Sequence, residues 1–163
     1  MNSVNDLAAR LVALLTEKGL HVVTVESCTG GGVANAITNV PGASEVLAQA
    51  FVTYSSEAKI ALGVDPSVIN WFSVYSEETV LAMAEVGLVK ALNAGLSLAV
   101  TGSLNRVDPH NENSELGVVY LCVLHRDKTD VRKIYVPEET ERFLSKDHVI
   151  RVILEMTIDL LTD

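Results

Sequence analysis

The chain has 163 residues, 48% hydrophobic and 20% charged, with 12 Lys and Arg against 21 Asp and Glu for a formal charge of -9. That is the length of one ordinary domain with enough apolar material for a core, which argues against global disorder. The acidic balance disfavours nonspecific nucleic-acid binding, which runs on phosphate neutralisation; no run approaches the roughly 18 apolar residues of a membrane span; and two cysteines make no disulfide framework, so a reducing, cytoplasmic setting is expected.

Leu7, Leu11, Leu14 and Leu15 recur at helical spacing and Gly19 follows as a stop, which predicts a first helix from about Asn5 to Lys18. The apolar block inside it is too short for a signal peptide. Val22 to Val25 reads as a strand that feeds a turn, Ser27-Cys28-Thr29-Gly30-Gly31-Gly32, and a helix from Gly32 to Val40 follows. Leu47 to Tyr54 reads as a second strand, and Ser56 to Leu62 as a short helix stopped by Gly63. Ser76 opens a strong helix with apolar positions Val80, Leu81, Met83, Ala84, Leu88 and Leu92, ending near Asn93. Leu96 to Val100 is a buried-type strand leading to Thr101-Gly102, and Ser103 to Glu115 is a long polar loop. Leu116 to Leu124 and Val131 to Val136 flank Asp127-Lys128-Thr129-Asp130, a hairpin signal. A last helix runs from near Ser145 to Leu161. The order predicts a single-domain α/β protein over residues 1–163, a three-layer α/β/α sandwich on a mixed central sheet.

The turn after the first strand presents Ser27, Cys28 and Thr29 where a helix start offers backbone N–H groups to an oxyanion or a phosphate. A plain β–α turn, with Ser27 or Thr29 only capping the helix, gives the same pattern. Lys59, early in a short helix after Tyr54, can serve a serine as a base if burial strips its proton, although an isolated lysine is usually exposed. Cys28 would need a histidine partner; an extended strand holds His21 on the order of 20 Å away, so Cys28 is read as a small packing residue. No zinc-ligand spacing occurs.

Taken together, these stretches resemble the C-terminal domain of the competence/damage-inducible protein CinA, which also exists as a stand-alone nicotinamide-nucleotide amidase. The resemblance rests on Thr24-Val25-Glu26-Ser27-Cys28-Thr29-Gly30-Gly31, Val40-Pro41-Gly42-Ala43-Ser44, Tyr54-Ser55-Ser56-Glu57-Ala58-Lys59, Leu62-Gly63-Val64, Ala99-Val100-Thr101-Gly102 and Gly117-Val118-Val119-Tyr120. It covers about Leu7 to Leu161. It implies hydrolysis of the carboxamide of nicotinamide mononucleotide, giving nicotinate mononucleotide and ammonia. Ser27 would be the nucleophile, Lys59 the base and Tyr54 an assisting hydroxyl. Thr29, Gly30, Gly31, Thr101, Gly102 and Arg151 would face the substrate, with N–H groups near Thr29 to Gly31 holding the oxyanion. The implied chemistry needs no metal or cofactor. The implied partner is a small nucleotide-like molecule rather than a nucleic acid or a membrane, and a homodimer is one assembly open to the chain.

Several positions depart from the family pattern. Ser103 to Glu115 replaces a glycine-rich segment, and it adds Asp108, Glu112 and Glu115 with Arg106 as its cation. Ser56 stands for an asparagine, Tyr75 for a valine and Asp147 for an arginine. These departures predict weak binding and slow turnover of a phosphate-bearing substrate. They also admit a second reading, a paralogue that kept the fold for a binding or regulatory role. Lys59→Ala is expected to leave the fold intact.

Overall fold

The computed structural model of the protein describes residues 2–111, 114–126, 128–137 and 140–163. Two acidic positions named above, Glu112 of the loop and Asp127 of the hairpin signal, lie outside the described residues.

Helix α1 (Val4–Lys18) opens with a capping box: the Ser3 hydroxyl accepts the Asp6 N–H, and the Asp6 carboxylate accepts the Ser3 N–H. Strand β1 (Val22–Glu26) is buried on both faces, as its continuous apolar run requires. Helix α2 (Gly32–Thr38), strand β2 (Leu47–Val52) and helix α3 (Ser56–Leu62) follow. Next comes α4 (Pro66–Phe72), a helix that the sequence reading did not include. Its start was written in Asp65-Pro66: the Asp65 side chain accepts the Ser67 N–H and the proline takes the first turn. None of its seven residues is fully buried, and Ile69 packs only partly buried against the core, so it shows no core face to read.

Helix α5 (Glu77–Lys90) stops two residues before Leu92, which is 92% exposed rather than part of an apolar face. Strand β3 (Leu96–Gly102) is wholly buried. Strands β4 (Val118–His125) and β5 (Lys128–Tyr135) form the hairpin. Its turn falls earlier than expected: His125 pairs with Lys128 and Leu124 with Thr129, so Lys128 to Asp130 belong to the strand. Helix α6 (Arg142–Thr162) begins three residues before the expected Ser145.

The sheet order is β2-β1-β3-β4-β5, with β1 parallel to β2 and β3, and the last two pairs antiparallel. Alternation divides the core in two. Val22, Leu96, Leu98, Val100, Leu121 and Val123 face α1, α2 and α6, whereas Val25, Ala99 and Cys122 face α5. Helix α5 lies close on the sheet because residue 87 is glycine: a Cβ there would sit 2.7 Å from Ser97 Oγ and 2.8 Å from Val25 Cγ2. The architecture is the expected three-layer sandwich on a mixed sheet. Its three parallel strands end side by side, at Val52, Glu26 and Gly102. The crevice outside the carboxyl ends of parallel strands is where such sheets bind ligands.

Candidate active site

Ser27 follows β1 directly and is buried at the corner into α2. The turn reaches the helix through Gly30 and Gly31, at φ 61° and 93°, a backbone conformation that strains residues with a Cβ. The helix cap is not a hydroxyl. Gly31 occupies the N-cap without a side-chain bond, and the acceptor is the buried carboxylate of Glu26. It takes the Val33 N–H at 2.8 Å, the Ala34 N–H at 3.0 Å and the Thr29 hydroxyl at 2.6 Å. Neither Ser27 nor Thr29 therefore serves as the cap. Of the N–H groups expected to hold an oxyanion, that of Gly30 donates to the Ser27 carbonyl at 2.9 Å, while Glu26 takes those of Val33 and Ala34 one turn on.

Strand β2 ends beside β1, and the next residue, Thr53, donates its N–H to the Glu26 carbonyl at 2.7 Å. Ser55 then caps α3 by accepting the Ala58 N–H. That short helix turns Lys59 back under the strand ends, where it is 1% exposed. Lys59 Nζ lies 3.2 Å from Ser27 Oγ and donates to the Thr53 carbonyl at 2.7 Å. Burial pulls the lysine pKa down to about 8 from its ordinary 10.5, because a charged amine is poorly solvated there. Lys59 ranks among the largest fully buried side chains, so Lys59→Ala, expected to leave the fold intact, would leave a cavity in its place. Cys28 is buried next to this pair, and burial pushes its thiol pKa up to about 12, which keeps it protonated at neutral pH.

Ser27 and Cys28 open onto a cavity of about 820 Å3 whose wall includes Tyr54, Tyr75, Arg106, Asp108 and Arg142. Tyr54 is 62% exposed at its mouth, two residues beyond the strand rather than at its end, and its hydroxyl accepts from Arg142 Nη2 at 3.2 Å. The Tyr75 hydroxyl donates to Asp108 at 2.9 Å, and burial, then Asp108, raise its pKa above the ordinary value. The Ser103–Asn111 segment is pinned at several points, two of them by side chains at the cavity. Asp108 holds Tyr75, and Asn105 donates to the Thr140 carbonyl and to Ser145 Oγ at the start of α6.

The residues expected on the substrate divide. Gly102 lines the Ser27 cavity, and a Cβ there would sit 2.6 Å from Val119 Cα. Thr29 is buried with its hydroxyl on Glu26, and Thr101 is buried with its hydroxyl on the Val74 carbonyl at 3.0 Å. Gly30 and Gly31 shape the turn and are not in the cavity lining. Arg151 lies in a separate cavity of about 440 Å3 with Asn35, Lys146 and Asp147, and it pairs with Asp147 at 2.9 Å. Sequence reasoning missed Glu26 as a cap and Arg142 as a cation at the mouth. The Arg-to-Asp departure at 147 was visible, but the arginine beside the site, inside a run of acidic and polar residues, was not.

Comparison with known proteins agrees with this fold. A model of the CinA C-terminal domain matches residues 4–161. A CinA-like protein of Kosmotoga olearia is 39% identical over 125 residues, covering 76% of this chain and 30% of that protein. The chain spans about three-tenths of the length of the curated relatives it matches. Among solved structures, a competence/damage inducible protein from Agrobacterium tumefaciens superposes with a TM-score of 0.89 at 32% identity, covering 98% of this chain and 96% of that one. The competence damage-inducible protein A from Klebsiella pneumoniae gives 0.91 at 25%, covering 99% and 98%. Among the described residues no helix is long and apolar enough to cross a membrane.

Proposed function

Since the chain belongs to the CinA C-terminal domain family, we propose that it is an amidase that hydrolyses the carboxamide of nicotinamide mononucleotide to nicotinate mononucleotide and ammonia. One observation carries the reading: a buried lysine amine lies 3.2 Å from a serine hydroxyl beside an open cavity. Burying a lysine is costly, and a base for serine is a use that needs it. In the reaction Ser27 Oγ attacks the amide carbon while Lys59 Nζ takes the hydroxyl proton. The C–N bond then breaks, and Nζ returns the proton to the departing nitrogen, which leaves as ammonia. Water completes the cycle by attacking the acyl ester, again with Nζ as base.

Arg106 and Arg142 line the same cavity and are suitable partners for the substrate phosphate. Arg142 was not counted in the expectation of weak binding, and Asp147, which was, lies in the separate cavity with Arg151. The test is ammonia release from nicotinamide mononucleotide by the purified chain, with the acid product measured in parallel. Equal amounts of the two support the reading. Ammonia from another carboxamide only would keep the chemistry and replace the substrate. No ammonia from any carboxamide would sink the proposal.

A further inference from the structure

Beside the Ser27 cavity lies a second one of about 370 Å3, and the two share Tyr54, Tyr75, Asp108 and His110 as a common wall. Ser27 lines only the larger cavity and Lys59 only the smaller. The 3.2 Å contact between them therefore spans the wall. The hydrogen bond from Tyr75 to Asp108, 2.9 Å long, lies within that wall.

Lys59 has unused bonding capacity. As an ammonium it carries three N–H donors, and its acceptors among the described residues are Ser27 Oγ and the Thr53 carbonyl. A buried donor left unpaired is costly, so the remaining position calls for water. The smaller cavity can supply it. Its volume exceeds the roughly 30 Å3 that one water takes in the liquid many times over, and Ser56, Glu57, Asp108 and Asn111 offer polar partners along its lining.

We propose that the smaller cavity is the port through which hydrolytic water reaches Lys59, and that the Tyr75–Asp108 hydrogen bond is the partition that keeps this water apart from the substrate. The proposal rests on the amidase reading. After ammonia has left, Ser27 carries the acyl group and the rest of the substrate fills the larger cavity, so water from that side must pass it. Water in the smaller cavity meets the free amine of Lys59 directly. Its oxygen attacks the ester carbon, Nζ takes one of its protons, the C–Oγ bond breaks, and Oγ recovers the proton from Nζ. The carboxylic acid then leaves through the larger cavity.

The experiment fills the port and watches the acyl-enzyme. Ser56 opens α3, and its side chain makes no hydrogen bond among the described residues, so Ser56→Trp adds bulk to the smaller cavity without removing a bond. Asn111→Trp fills it from the loop side, in case the first variant folds poorly. The purified chains are mixed with the p-nitrophenyl ester of nicotinate mononucleotide, whose acyl group keeps the ribose phosphate that fills the larger cavity, the nitrophenol burst is followed, and the mass of the Ser27 peptide is measured. The expected result is an unchanged burst with deacylation slowed by about tenfold or more, and acyl-Ser27 persisting correspondingly longer in the filled variants than in the wild type. Wild-type deacylation rates in variants with a full burst would overturn the port and leave the amidase reading standing. A wild-type chain that forms no acyl group on Ser27 from ester or amide would overturn both.

Discussion

Glu26 and Lys59 are both buried beside Ser27, one leading into the turn before α2 and the other on α3, yet their surroundings differ in kind. The carboxylate has three donors, two of them N–H groups at the start of one helix, where the helix dipole also favours an acceptor. The amine has two acceptors, and one of these is the hydroxyl it would deprotonate. A fully satisfied buried group fixes structure, as Glu26 fixes the corner that presents Ser27. A buried base with bonding capacity to spare holds its proton loosely, which is what catalysis needs. The turn is built for rigidity and the β2–α3 connection for chemistry.

The strongest way to break this comparison is to delete the chemistry. Ser27→Ala and Lys59→Met should each lower amide hydrolysis by about a thousandfold or more, as measured by ammonia release at saturating substrate. A Lys59→Met chain that keeps a tenth of the activity would remove the lysine from the mechanism. Deleting the structural partner comes next. Glu26→Ala strands the Val33 and Ala34 N–H groups and the Thr29 hydroxyl, and should cost about 3 kcal/mol or more, read from urea unfolding. Glu26→Gln, which keeps one acceptor oxygen, should cost about half of that. A loss below about 1 kcal/mol for Glu26→Ala would show that the cap is not the carboxylate.

The comparison sharpens where the two groups should act in opposite directions. Lys59→Met replaces a desolvated amine by an apolar side chain of similar length, and it should raise stability near neutral pH by about 2 kcal/mol. The sign follows from the lowered pKa. Below about 8 both the folded and the unfolded chain hold the proton, and the burial cost is fully present. Between 8 and 10.5 the unfolded chain binds more protons, so wild-type stability rises with pH, and above 10.5 the cost is gone. Urea unfolding at pH 7 and pH 10.5 should therefore show the advantage of Lys59→Met shrinking. In the smallest effect, the rate of amide hydrolysis should rise along a limb with an apparent pKa of about 8. Tyr54→Phe should keep that limb and change the rate only several-fold, because the Tyr54 hydroxyl rests on Arg142. A limb that disappears in Tyr54→Phe would take the base role away from Lys59.

Much of the fold was legible because the inner strands are buried on both faces and so read as unbroken apolar runs. Val22 to Val25 and Leu96 to Val100 are the clearest cases. Helix α4 escaped because it is short and none of its residues is fully buried, and the β5 start escaped because Lys128, Thr129 and Asp130 sit in the strand with side chains that look like a turn. In the site, Ser27 stood out from its place between a strand and glycines. Lys59 did not stand out from its residue type, since a lone lysine signals nothing about depth; only the ordered series of motifs singled it out. Glu26 and Arg142 depend on contacts across the chain, with α2 and with Tyr54, that no local pattern encodes. At Asp147 the reversed charge is matched within its own helix by Arg151, four residues on.

Gly87 has a mechanical consequence for α5. Helix α5 is a stiff rod, and Tyr75 stands just ahead of its first turn, roughly 18 Å along the axis from residue 87. At 87 the rod rests on the sheet with no room for a methyl group. Any side chain there acts as a shim between rod and sheet, and the strain falls on the buried contacts that seat the rod, Val80, Met83 and Ala84 among them. A substitution at residue 87 is therefore felt first in the seating of α5 on the sheet, at a position that touches neither the nucleophile nor the base.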